Sequence, residues 1–169
     1  MALGVDILIT NDDGISAPGL SALRTAMDAL GTAFVVAPDR EQSAMSHALT
    51  LHRSLHVEKL GERVYSVDGT PTDCVLLAVH GLMEARPKLV VSGINHGPNM
   101  GEDTMYSGTV AAAMEGAILG IPAIAFSLVT KRNKETCDFS GASAFAGRLA
   151  ARVLEAGLPP HTVLNVNIP

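Results

Sequence analysis

The sequence predicts an α/β fold: a three-layer, Rossmann-like, doubly wound and mostly parallel sheet with a small β excursion around 48–67. Three observations predict it. Short apolar, β-branched runs alternate with longer helical stretches, the pattern of βαβ units. Polar, glycine-containing loops follow several of those runs. The core must also be aliphatic, because hydrophobic residues make up 47% of the chain and aromatic residues only 4%, with no Trp. That composition suits buried strands covered by Ala-rich helices better than an aromatic-rich β-sandwich. At 169 residues the chain suits one domain, 1–169.

Val5 to Thr10 (VDILIT) is the first strand, followed by the polar turn Asn11-Asp12-Asp13-Gly14. A helix then runs from about Ala17 to Leu30, with Pro18 in its first turn. Ala33 to Ala37 is a second apolar strand ending at Pro38. Strand, turn, helix and strand form a βαβ unit, whose crossover gives parallel neighbours. Ala48 to Leu51, Leu55 to Leu60 and Val64 to Val67 are short and alternating, and read as strands of the β excursion. Thr70 can cap a helix running to about Leu82, with Asp73 where a capping-box acid belongs. Lys88 to Ser92 is a strand, Gly93 to Gly108 a long glycine-rich loop, and Thr109 to Leu119 a buried apolar helix. Ala123 to Ser127, Phe139 to Glu155 and Val163 to Ile168 complete the pattern as strand, helix and strand. The sequence stops directly after that last strand, so a C-terminal continuation or a partner chain is expected to cover its edge.

A net charge of −5 argues against a nucleic-acid polymer, whose binding needs basic residues to replace released counterions. It leaves room for a small anion, since a bound divalent cation reverses the local field. Lys131, Arg132 and Lys134 could contact a phosphate or form a solvated loop surface. Cys74 and Cys137 form no zinc-binding pattern. There is no signal-peptide pattern and no apolar run of the roughly 18 residues that span a bilayer. The expectation is a cytoplasmic chain with no membrane partner.

Ligands of open α/β sheets bind outside the carboxyl ends of the strands. Three polar loops take that position here: 11–14, 38–46 and 93–108. Asp12 and Asp13 are adjacent carboxylates that repel each other unless a cation or hydrogen-bond donors compensate. Oxygen-rich sites suit Mg²⁺, Mn²⁺ or Ca²⁺, although Asn-Asp-Asp-Gly also makes an ordinary turn. In the second loop Ser43, Asp39 and Glu41 all offer oxygen, and spacing selects none of them. The third loop brings Asn95, His96 and Asn99 among glycines, then Ser107-Gly108-Thr109 at a helix start. Its N–H groups suit a phosphate or an ordinary cap. His96 reads as a bystander.

Together the motifs TNDDG at 10–14, APGL at 17–20, APDREQSA at 37–44 and GTPTDCV at 69–75 resemble the SurE family of 5′-nucleotidases. SGINHGPNMG at 92–101, YSGTVAAAMEG at 106–116 and LNVNIP at 164–169 extend the resemblance along the chain in order. The resemblance implies a divalent-metal-dependent phosphatase of nucleoside 5′- and 3′-monophosphates, with short polyphosphates as further substrates. Its metal ligands would fall on Asp12, Asp13, Ser43 and Asn95, with Asp12, Asp13 and Asn95 at the chemistry. Asn11, Asn99, Ser107, Gly108 and Thr109 would meet the substrate. One divalent ion, Mg²⁺ or Mn²⁺, and a homodimer or homotetramer are implied as well. Family members continue beyond the strand that ends this chain, and that segment helps to build the assembly.

Two rival readings have distinct signatures. A haloacid-dehalogenase-type phosphatase would need a nucleophilic Asp at position 11, which is Asn11. A non-catalytic nucleotide-binding module would bind nucleotide without releasing phosphate. A dinucleotide-dependent dehydrogenase is disfavoured, since no G-x-G-x-x-G joins the first strand to its helix.

Overall fold

The computed structural model describes residues 6–130, 133 and 136–169; Val5, Lys131, Arg132 and Lys134, each given a role above, lie outside them. Alternating apolar residues set the two faces of one sheet. In β1 (Asp6–Thr10), Ile7 and Ile9 belong to one core cluster and Leu8 to the other. Val35 and Ala37 of β2 (Thr32–Pro38) follow Ile9, while Val36 follows Leu8. The same division holds in β5 (Leu89–His96) and β6 (Ala123–Leu128). Each fully buried Ile or Leu contributes roughly 1.5–3 kcal/mol.

On the first face, α1 (Pro18–Asp28) brings Leu20, Leu23 and Met27, and α4 (Ser140–Ala156) a stripe of Ala142, Ala146 and Ala150. The second face is covered by α2 (Pro71–Leu77) and α3 (Gly108–Ile118), through Cys74, Val75, Ala112 and Ala113. Adding β3 (Val57–Gly61), β4 (Val64–Val67) and β7 (Val163–Ile168), the sheet order is β3-β4-β2-β1-β5-β6-β7. Among the described residues only the β3–β4 pair is antiparallel. The predicted fold class is therefore what the chain adopts.

Three local expectations are corrected. Residues 48–51 form no strand, because their backbone is engaged by side chains at the start of α2. Thr50 N donates to Asp73 Oδ1 (3.0 Å) and Thr70 Oγ donates to Ala48 O (2.8 Å). The third loop begins later than expected, since β5 continues through a cis Gly93–Ile94 peptide to His96. After an irregularity, Asn95 pairs with Ser127 of β6. The helix expected to reach Leu82 is α-helical to Leu77 and a π turn over Ala78–Leu82. Among the described residues no helix is long and apolar enough to cross a membrane.

Candidate active site

Strand order dictates where a site can form. β1 leads through α1 to β2, and its other neighbour, β5, leads through α3 to β6 on the far side. The connections leave in opposite directions, so a crevice opens between β1 and β5 at their carboxyl ends. The segment after β2 borders the same rim.

Backbone and side-chain bonds fasten the three loops together. Asn11 closes the first turn by donating Nδ2 to Gly14 O (2.9 Å). Gly14 sits at φ +96°, and a Cβ there would stand 3.0 Å from the Arg40 carbonyl carbon, so glycine is required. Ile15 N donates to Pro38 O (2.8 Å) and Gln42 N to Asp12 O (2.7 Å), joining the first loop to the second. His96 N donates to Asp13 Oδ2 (3.1 Å), joining it to the end of β5.

Asp12 is the electrostatic centre. It is 5% exposed, and Thr109 Oγ donates to its Oδ1. A Cβ on Gly108 would stand 2.9 Å from Asp12 Cβ, so glycine allows α3 to approach this closely. Burial pushes the Asp12 carboxyl up to about 6; the Thr109 hydroxyl pulls it down and the neighbouring Asp13 charge pushes it up again. The backbone N–H groups of Thr109 and of Asp12 itself lower it further, yet burial prevails, and a buried carboxylate beside a second carboxylate favours a cation. Asn11 Oδ1 is also buried, with no donor among the described residues.

Asp12, Asp13, Ser43 and Asn95 line one open cleft of about 280 Å³. Ser43 donates to Glu41 Oε1 (2.7 Å), which leaves its oxygen lone pairs. Asn95 donates Nδ2 to Gly97 O (2.9 Å), so its Oδ1 is the atom suited to a cation. Glu41, Asp103, His96, Tyr106, Asn99 and Ser107 also line the cleft. Among the described lining residues four are carboxylates. Ionised carboxylates at these positions repel a phosphate unless positive charge stands between them. Among the described residues no three His, Cys, Asp or Glu groups converge, so a cation here needs neutral oxygens beside Asp12 and Asp13.

The expected substrate residues divide into two groups. Asn99 and Ser107 reach the cleft lining, whereas Asn11, Gly108 and Thr109 are absent from it and support Asp12 and its turn. The physical reason is that the Thr109 hydroxyl is already engaged by Asp12, and Ser107 Oγ accepts from Val110 N (3.1 Å) as the cap of α3. Sequence reasoning missed Asp103 and Tyr106. Tyr106 is 63% exposed, and its only signal was an aromatic residue directly before Ser-Gly-Thr in a chain with two tyrosines.

A second cleft of about 230 Å³ shares Asp13, Glu41 and His96 with the first and is floored by Ala17, Pro18 and Phe139. A larger cavity of about 430 Å³ lies beside Asp6, Phe34 and Tyr65, toward the amino ends of β1, β2 and β4, and includes none of the three loops.

The survival protein SurE family model matches residues 7–169. A 5′-nucleotidase SurE of Geotalea daltonii is 60% identical over 163 residues, covering 96% of this chain and 65% of the relative. Its counterpart in Myxococcus xanthus is 58% identical over 164 residues, covering 96% and 62%. A crystal structure of a SurE protein from Aquifex aeolicus superposes with a TM-score of 0.91 at 49% identity, covering 97% of this chain and 66% of that one. The chain thus spans about 65% of the length of the first of these relatives.

Proposed function

Because this chain belongs to the survival protein SurE family, we propose that it is a divalent-metal-dependent phosphomonoesterase acting on nucleoside 5′-monophosphates, and on 3′-monophosphates as well. The relatives described as 5′-nucleotidases support the substrate class. The observation that supports the metal requirement is the buried Asp12 beside Asp13 in one cleft with the neutral oxygens of Ser43 and Asn95.

Asp12 and Asp13 would hold the cation, with Ser43 and Asn95 supplying neutral oxygens. Hard oxygen donors of this kind suit Mg²⁺ or Mn²⁺ better than zinc. When bound, such an ion offsets the phosphate charge and lowers the pKa of water. The protein's own part is orientation. Thr109 fixes Asp12, and the His96 N–H fixes Asp13. Ser107, whose oxygen accepts from Val110 N, keeps its hydroxyl proton to donate to a phosphate oxygen. Asn99 lines the same cleft, and the apolar floor beyond Asp13 suits the nucleoside. A homodimer or homotetramer is part of the same proposal.

The test is phosphate release from AMP with Mn²⁺ or Mg²⁺, then with EDTA. Release should require the metal, and Asp13→Asn should reduce it at least about a thousandfold while circular dichroism shows an intact fold. Turnover that persists in EDTA, or in the variant, would overturn the assignment.

A further inference from the structure

We propose that Asn165 and Asn167 of β7 are positioning residues for this hydrolysis, gripping the backbone of Asn99 and fixing residues 97–100 as the outer wall of the cleft. The inference rests on the phosphomonoesterase reading. It gives a role to LNVNIP at 164–169, which the metal and phosphate assignments leave unused.

The two asparagines are two residues apart in an edge strand and so share one face. Asn99 N donates to Asn167 Oδ1 (2.8 Å), and Asn167 Nδ2 donates back to Asn99 O (3.0 Å). Asn165 Nδ2 donates to the same carbonyl (2.8 Å). A backbone N–H can only donate and a carbonyl can only accept, so the orientation of both side-chain amides is fixed. Asn167 therefore holds Asn99 as a neighbouring strand would. Asn99 Nδ2 donates to Ser127 Oγ (2.9 Å), and Ser127 is the register partner of Asn167. Gly97 N donates to Leu128 O (3.0 Å) and anchors the segment at its other end.

Asn99 shares the cleft with Asp12, Asp13 and Asn95, so its position sets one wall of the space open to substrate. The residues assigned to the cation stand on the turn after β1, the loop after β2, and β5. Loosening the grip should displace the substrate wall and spare the cation set. Hence KM should change more than kcat.

Asn165→Asp and Asn167→Asp preserve size but replace the N–H donor facing Asn99 O with an acceptor. In the double variant, KM for AMP with Mn²⁺ should rise at least about tenfold, with kcat and Mn²⁺ affinity held within about threefold. Hydrogen exchange at the Asn99 amide should accelerate by about tenfold or more. Asn165→Asp alone should act in the same direction but less, because Asn99 O keeps the Asn167 donor; Asn165 is exposed, so this variant carries the test if the double variant fails to fold. Faster exchange with unchanged KM overturns the inference, as do unchanged exchange or a parallel collapse of kcat, Mn²⁺ affinity and thermal stability. Wild-type protein inactive toward AMP in Mn²⁺ overturns the enzymatic reading itself, and the positioning role falls with it.

Discussion

Asp12 and Asp73 are both buried acids beside the start of a helix, yet their surroundings give them opposite work. Asp73 is enclosed by backbone donors: Thr70 N reaches its Oδ2 (2.9 Å) and Thr50 N its Oδ1 (3.0 Å). It completes a capping box at α2 and pins the 48–51 segment. Asp12 has the Thr109 donor at α3 and a second carboxylate adjacent in sequence, and its pKa is raised to about 6. A carboxylate supplied with donors on both oxygens is structural. One whose burial and neighbouring charge outweigh its donors is the one that the proposed cation would relieve.

Isosteric amides should separate the two roles most sharply. Asp12→Asn should lower metal-dependent AMP hydrolysis at least about a thousandfold. It should leave the metal-free protein as stable as before or more so. The sign follows from the raised pKa: the fold holds the proton more tightly than the unfolded chain, so ionised Asp12 opposes folding above about pH 6. Asp73→Asn should do the reverse, costing about 1–2 kcal/mol in urea denaturation and little in kcat, because an amide cannot accept equally well on both sides. If Asp12→Asn proved the more destabilising and Asp73→Asn the more inactivating, the distinction would be wrong.

Thr109 is the next lever, since it alters Asp12 without touching the cleft. Thr109→Val keeps the shape of a fully buried side chain and removes only the hydroxyl. Mn²⁺ affinity, measured by calorimetry, should fall about 10–100-fold, while Thr109→Ser should stay near wild type. Equal losses in both variants would mean that packing, not the hydrogen bond, is what matters.

These two acids and one hydroxyl also mark the reach of sequence reasoning. The Asp73 cap was legible because Thr70 and Asp73 are three residues apart and the capping box is a local pattern. The rim was legible because crossovers between apolar strands place loops at one edge of a sheet. Thr109 on Asp12 was not, since its partner is 97 residues away and no periodicity encodes the pair. Choosing Ser43 as the proposed ligand needed the family resemblance, because Asp39 and Glu41 offer similar oxygens nearby. The strand expected at 48–51 failed for a related reason: Leu49 and Leu51 alternate as in a strand, but both are exposed, and side-chain bonds take the place of a ladder.

The smallest expected effect concerns a third acid, which extends the comparison to the protein surface. Asp68 accepts from His56 N (2.8 Å) and from Arg53 Nη1 (2.8 Å), and so ties down the loop next to the one held by Asp73. The His56 backbone donor, then Arg53, holds its carboxyl below the ordinary value of 3.8, the opposite of Asp12. A depressed pKa means that the stabilisation is fully present above the unfolded value and is lost as pH falls through the folded one. The stability gap between wild type and Asp68→Asn should therefore be constant from neutral pH down to about pH 5 and close below about pH 4. Salt should shrink it, because the pair is solvent-exposed. A gap that widened as pH fell would place Asp68 with Asp12, among acids the fold tolerates at a cost, and would undo the link between donor supply and structural role.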